Sequence, residues 1–248
     1  MGHIVSVKKT RLDHAIFSRG MVKTRSQAEN YIRLGMVKVN GREISKPGYF
    51  IDENSVIELD DKQKYVSRAG LKLASVADYF KLNFKDKVVL DVGSSTGGFT
   101  DYSLQHGANK VFAIDVGTNQ LHPSLRLNNK VDLREQTDIR DVKKLEPNPD
   151  IVVIDVSFIS LRNILPHVSR LINSDAAILA MVKPQFEADN SNIKHKGIIK
   201  NENIRRQILK DFEHWAKDIF YIVDKKDSEV AGEKGNKERF YLLKLPKN

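Results

Sequence analysis

Thirteen residues constrain this chain more than any others: Val88-Val89-Leu90-Asp91-Val92-Gly93-Ser94-Ser95-Thr96-Gly97-Gly98-Phe99-Thr100. The apolar residues around Asp91 predict a strand buried on both faces. A glycine-rich turn follows, and Phe99, Tyr102 and Leu104 open a helix that Gly107 closes. Strand, turn and helix in that order form the first unit of an open α/β sheet. Backbone amides at such a turn, backed by the positive end of a helix, make a seat for a nucleotide-like ligand. The spacing is neither Gly-x-Gly-x-x-Gly nor a P-loop ending in Gly-Lys-Ser/Thr, which disfavours a pyrophosphate. A nucleoside with a small or positively charged head group fits better. The competing reading is a tight turn that binds nothing.

The sequence downstream repeats the alternation. Further strands are expected at Val111–Asp115, Val131–Leu133, Ile151–Asp155 and Ala177–Val182. A helical period runs from Leu161 to Ile172, with Pro166 able to kink it. Ile204, Ile208, Phe212 and Trp215 mark another amphipathic helix, and Phe220–Val223 and Phe240–Leu243 close the chain as strands. This pattern predicts an α/β fold with a parallel-rich, doubly wound sheet. Ligands of such sheets sit beyond the C-terminal strand ends, where Asp91, Asp115, Asp155 and Lys183 all fall. Asp115, some twenty residues past the glycine turn, suits a ribose diol, and Asp138 suits an adenine amino group. Each of these carboxylates could instead cap a helix, and Lys183 could snorkel to the surface. Four polar residues from successive strands favour a site. The chain has no cysteine, so thiolate metal sites and cysteine nucleophiles are excluded. Its histidines have no metal-ligand spacing, and no metal is expected.

Positive charge is concentrated near the start of the sequence, and from Pro47 to Val66 the balance reverses. The formal net charge is +9, and residues 5–46 hold ten Lys/Arg against three Asp/Glu. Such a concentrated basic face is the usual footprint for phosphate backbones. Leu12, Ala15 and Ile16 give one short helix, and Ala28, Tyr31 and Ile32 a second that Gly35 ends. Val37 and Val39 alternate with Lys38, Asn40-Gly41 turns the chain, Ile44 begins a return strand, and Ser55–Leu59 is a further strand. Arg11-Leu12-Asp13, Thr24-Arg25-Ser26-Gln27-Ala28 and Gly35-Met36-Val37-Lys38-Val39-Asn40-Gly41 resemble the RNA-binding domain named after ribosomal protein S-four. The resemblance implies a small α+β module whose phosphate contacts are Arg11, Arg19, Lys23, Arg25, Arg33, Lys38 and Arg42. The expected organisation is this module over residues 5–60, a linker over 61–66 and a catalytic domain over 67–248.

Three catalytic-domain segments carry a second resemblance: Asp91–Thr100, Asp155-Val156-Ser157-Phe158-Ile159-Ser160-Leu161, and Val182-Lys183-Pro184-Gln185-Phe186-Glu187. They are similar to the TlyA family of S-adenosylmethionine-dependent ribosomal RNA 2′-O-methyltransferases, some known as haemolysins, whose catalytic domain is FtsJ-like. The resemblance implies a Lys-Asp-Lys-Glu tetrad at Lys72, Asp155, Lys183 and Glu238. It also implies S-adenosylmethionine as cofactor, held by Asp91, Gly93, Ser95, Gly97, Gly98, Phe99, Asp115 and Asp138. The family pattern admits Asn where this chain has Asp138. A chain stopping at Asn248 resembles the shorter members, which act on the large ribosomal subunit. In this reading Lys183 takes the proton of a ribose hydroxyl, while Asp155 and Glu238 hold the two lysines. Two other functions compete: a non-catalytic ribosome assembly factor and a membrane-lytic protein. The start of the sequence has no signal-like apolar core, and the longest apolar run, Ala176–Val182, is too short to span a bilayer. The expected location is therefore cytoplasmic, with no membrane partner and no obligate protein partner.

Overall fold

Short apolar runs at regular spacing become short elements in the computed structural model, which describes residues 9–22, 24–33, 35–59, 64–191, 193–194, 197–230 and 235–246. The chain divides into two units, Met1–Lys64 and Tyr65–Asn248.

In the first unit β1 (Lys9–Arg11) runs straight into α1 (Leu12–Ser18), followed by α2 (Arg25–Arg33). Then come β2 (Val37–Val39), β3 (Arg42–Glu43), β4 (Phe50–Asp52) and β5 (Ile57–Leu59). Val37 and Val39 are buried and Lys38 is exposed, the alternation of a half-buried strand. Asn40 and Gly41 have φ of 50° and 75°, the two positive values a type I′ hairpin turn requires. The return strand is Arg42–Glu43 and stops before Ile44, whose amide still donates to the Val37 carbonyl at 2.9 Å. β1 pairs antiparallel with β4, a pairing without an apolar signature because β1 reads Lys-Thr-Arg. Leu12, Ala15, Ile16, Ala28, Ile32, Val37 and Val39 pack as its core.

The second unit begins with α3 (Arg68–Ala77) and continues β6 (Val88–Val92), α4 (Gly98–Gln105), β7 (Lys110–Ile114), α5 (Pro123–Arg126), β8 (Val131–Arg134) and β9 (Ile151–Ile154). It ends with α6 (Leu165–Val168), β10 (Ala177–Val182), α7 (Pro184–Glu187), α8 (Glu202–Lys217), β11 (Tyr221–Asp227) and β12 (Arg239–Lys244). One seven-stranded sheet orders these strands β11-β12-β10-β9-β6-β7-β8. Strands β6 to β10 run parallel, and β12 lies antiparallel to both β10 and β11. Alternate strand residues serve two cores: Val88, Leu90, Val152 and Ile154 face one, and Val89, Ile151 and Val153 the other. This is the mostly parallel, doubly wound sheet that the apolar runs predicted. The helical period from Leu161 to Ile172 is broken into a 3₁₀ turn at Leu161–Asn163 and the short α6. Pro166 sits in the first turn of α6, where its missing N–H is tolerated, so the helix restarts there. The strand order reverses between β6 and β9, and that switch point is where an open α/β sheet leaves a ligand crevice.

Candidate active site

The crevice is a cavity of about 300 Å³ at the C-terminal ends of β6, β7 and β9. Gly93, Ser95, Asp115, Asp138 and Asp155 line it, together with Phe158. Gly93 must be glycine: its φ is 81°, and a Cβ there would stand 2.6 Å from the Asp155 carbonyl. Its amide and that of Ser94 donate to the Ile114 carbonyl, which ties the turn to the end of β7. Asp115 accepts the Ser95 amide on one oxygen at 2.8 Å and the Gly117 amide on the other at 2.7 Å. Each oxygen keeps a further lone pair for a ligand hydroxyl. Asp138 caps the 3₁₀ turn Ile139–Asp141, accepting the Arg140 amide at 2.9 Å, and pairs with the Arg140 guanidinium at 2.6 Å. Those bonds to Arg140 hold its carboxyl below the usual range despite partial burial. Asp138 is thus a helix cap and a cavity wall at once.

Asp91, Gly97, Gly98 and Phe99 do not line this cavity. A Cβ on Gly98 would meet the Ser67 hydroxyl at 2.2 Å and the Gly70 amide at 2.7 Å, so this glycine lets α4 lie against α3. Gly97 (φ 96°) turns the chain into α4 over Leu121 and Leu125, and Phe99 is a core residue packed on Phe240. Asp91 is fully buried. Thr100 donates to one of its oxygens at 2.6 Å, and the other has no protein partner. Burial pushes its carboxyl up to about 7 against the Thr100 bond, with Asp155 and Asp115 adding repulsion. Three lining carboxylates make this crevice complementary to a cation, and Asp91, next in the chain to the lining Val92, adds a buried carboxyl with one oxygen unpartnered.

The four residues of the tetrad form two ion pairs. Lys183, one residue past β10, places its ammonium 2.6 Å from the carboxylate of Asp155, one residue past the neighbouring β9. The same ammonium donates to the Ser157 hydroxyl at 2.8 Å. Lys72 on α3 donates to Glu238 at 2.6 Å across 166 residues of chain, with Glu238 only 3% exposed. Val182 pairs with Arg239 across β10 and β12. Lys183 and Glu238 therefore occupy the next positions outward on neighbouring strands, and both ion pairs fall at one rim of the sheet.

Three residues here escaped the sequence pattern. Ser157 shares the Lys183 ammonium. Phe158 has a φ of 65° and is 89% exposed, with its ring 5.2 Å from that of Phe186. A bulky residue held in the left-handed region and left in solvent is a functional signal rather than a packing one. Glu187, buried on α7, accepts the Ser160 hydroxyl and the Leu161 amide, both at 2.7 Å. It thereby ties the far end of the Asp155 loop to the segment carrying Lys183. Burial raises the Glu187 carboxyl against those bonds.

In the first unit the expected phosphate contacts divide by what they already hold. Arg11 and Arg25 converge on the buried carboxylate of Asp13, each at 2.8 Å. Burial would raise that carboxyl, but the two guanidiniums outweigh it and hold it well below the usual range. Arg19 donates to the Ser55 and Glu53 carbonyls, both at 2.8 Å. Lys38 and Arg42 are exposed. Lys23 and the side chain of Arg33 lie outside the described residues. Among the described residues there is no cluster of side chains able to hold a metal, and no helix is long and apolar enough to cross a membrane.

A doubly wound sheet with a carboxylate-lined switch-point crevice and a Lys/Asp/Lys/Glu rim defines a methyltransferase of the FtsJ-like class. The FtsJ-like methyltransferase family matches residues 65–245, and the S4 domain family matches residues 10–57. Hemolysin A of Brachyspira hyodysenteriae is 39% identical, over 92% of this chain and 97% of its own length. The 16S/23S rRNA (cytidine-2′-O)-methyltransferase TlyA of Mycobacterium tuberculosis is 32% identical, over 96% of this chain and 90% of its own. A solved structure from Streptococcus thermophilus, described provisionally as a hemolysin, superposes with a TM-score of 0.75 at 37% identity, covering 98% of this chain and 90% of the other. The chain belongs to the TlyA family.

Proposed function

We propose that this protein transfers a methyl group from S-adenosylmethionine to the 2′-hydroxyl of a cytidine in ribosomal RNA, in the large subunit, and that it works in the cytoplasm. The observation that carries the reading is the Lys183–Asp155 pair opening onto the carboxylate-lined crevice. The bound cofactor supplies an electrophilic methyl on a sulfonium. Asp115 would accept the cofactor's ribose hydroxyls, and Asp138 would accept its adenine amino group. The field of Asp91, Asp115 and Asp155 favours the positive head group over the neutral product that transfer leaves behind.

A ribose hydroxyl attacks only as its proton departs, and the Lys183 nitrogen would accept that proton as the neutral amine, after its ammonium has first given one up to solvent. Asp155 and Ser157 fix that nitrogen, and Glu238 fixes the Lys72 ammonium, which neutralises charge growing on the attacking oxygen. The exposed face of Phe158 offers a stacking platform for a base drawn out of its helix. The test is mass mapping of ribosomal RNA after incubating ribosomal subunits with the protein and cofactor. A single added methyl on a cytidine ribose is expected. RNA binding with no methyl transfer would instead establish an assembly factor. Vesicle leakage without any change to RNA would establish a lytic protein, the activity the hemolysin name of one relative suggests.

Two further results are expected at the cofactor seat. Asp115→Ala removes a half-buried acceptor and should weaken S-adenosylmethionine by about 1–3 kcal/mol in calorimetry. Unchanged affinity would remove Asp115 from the seat. Cofactor binding should also release a proton near neutral pH. With its carboxyl raised to about 7, Asp91 is partly protonated there, and a cation in the crevice favours the carboxylate. Affinity should rise between pH 6 and 8, and binding enthalpy at pH 7 should vary with the ionisation heat of the buffer. Asp91→Asn should abolish that variation. The linked sign for the unliganded fold is the reverse: Asp91 destabilises it progressively as pH climbs from the unfolded value near 4 through 7.

A further inference from the structure

Glu238 enters the rim on an extended segment, where successive side chains take opposite sides. Asn236, Glu238 and Phe240 are buried on one side, and Lys237 and Arg239 take the other. Both of those flanking residues are tied to one guanidinium, Lys237 directly and Arg239 through Asp227. Arg205 of α8, only 6% exposed, donates from Nε to the Lys237 carbonyl at 3.1 Å and from Nη2 to Asp227 at 2.7 Å. The same Asp227 oxygen accepts Arg239 Nε at 2.6 Å. A separate tie holds Asn236, which accepts the Ile199 amide at 3.0 Å and donates to the Gly197 carbonyl at 3.1 Å. The Glu238 carbonyl itself accepts the Ser228 amide at 3.0 Å.

An arginine on the buried face of an amphipathic helix is costly to desolvate, and an apolar residue there would pack at least as well. What the guanidinium offers instead is direction: its rigid fork reaches a backbone carbonyl and a carboxylate together. We propose that Arg205 and Asp227 form a clamp that positions Glu238 against the Lys72 ammonium. The inference rests on the tetrad reading above and adds a positioning pair that lies outside the crevice lining. Displacing a catalytic contact by an ångström is enough to lower a rate steeply, and the clamp removes that freedom from both residues beside Glu238.

The test is a double-mutant cycle in the full-length protein, read by single-turnover methylation of ribosomal subunits. Asp227→Ala removes the shared acceptor at a half-exposed position, and Asp227→Asn is a milder companion should the first variant unfold. Each should slow transfer, by about tenfold for the alanine, with cofactor affinity and RNA half-saturation within twofold of the parent. In a Lys72→Ala background the same substitution should add less than about twofold, because the interaction it steers is already gone. Full additivity, or a parental rate for both Asp227 variants while Lys72→Ala is crippled, would overturn the clamp alone. A parental rate for Lys72→Ala would overturn the tetrad reading and the clamp with it.

Discussion

Replacing Lys183 by alanine should slow single-turnover methylation by about 10²–10⁴, the usual loss on removing a general base, while leaving cofactor affinity nearly unchanged. Lys183 meets the crevice lining through Asp155, while the glycine turn is built without it. The turn from Gly93 to Ser95 is held by the Ile114 carbonyl and the Asp115 carboxylate, none of which Lys183 touches. Among the described residues Lys183 meets Asp155 and Ser157 at hydrogen-bond distance. Its loss leaves the buried side of Asp155 without its cation, so Lys183→Met is a poor control and Lys183→Arg a better one. The guanidinium can satisfy Asp155, yet it cannot take up a proton at working pH because it never gives one up. Arginine should therefore restore stability but not rate. A parental rate for either substitution would defeat the proposed role.

What the sequence made legible, and what it hid, follows from the range of each interaction. β9 and β10 are continuous apolar runs, and β6 and β7 are apolar apart from Asp91 and Lys110, so their place in a doubly covered sheet is written locally, and Asp155 and Lys183 stand where the β9 and β10 runs stop. The Lys72–Glu238 pair has no local signature, because it joins an entry helix to the last hairpin; only the family resemblance pointed to both residues. Glu187 and Arg205 are hidden for a related reason. A charged residue on a helix reads as solvent-facing until its partners, the Ser160–Leu161 turn and Asp227, are brought against it. The glycine turn reads as one unit in the sequence but divides in two in the fold. Gly97, Gly98 and Phe99 carry the pattern that suggests a ligand, whereas their side of the turn serves the packing against α3 and the core. Only the Gly93–Ser95 side faces the crevice.

Removing the S4 unit should abolish methylation of ribosomal subunits while cofactor affinity stays within about twofold. The cofactor seat is built from residues 92–164 alone, and both cores beneath it lie within the second unit. The rate loss should come from RNA affinity, and salt can separate two kinds of basic residue within the S4 unit. Lys38 and Arg42 are exposed, so Lys38→Ala with Arg42→Ala should weaken RNA binding uniformly and flatten the plot of log affinity against log salt. The expected change in slope is about 0.7–0.9 for each phosphate that is no longer neutralised. Arg11 and Arg25 behave differently because they neutralise the buried Asp13. Removing either leaves a buried carboxylate short of a partner, so the unit should lose thermal stability before any change in salt slope can be read. Stability that depends on Asp13 is present above the unfolded carboxyl range and is lost as pH falls. An acid-sensitive melting transition that Arg25→Ala weakens, beside a salt slope that Lys38→Ala and Arg42→Ala reduce, would assign structural and RNA-binding roles within one basic face. Full-rate methylation by residues 65–248 alone would instead place the RNA anchor entirely in the methyltransferase unit.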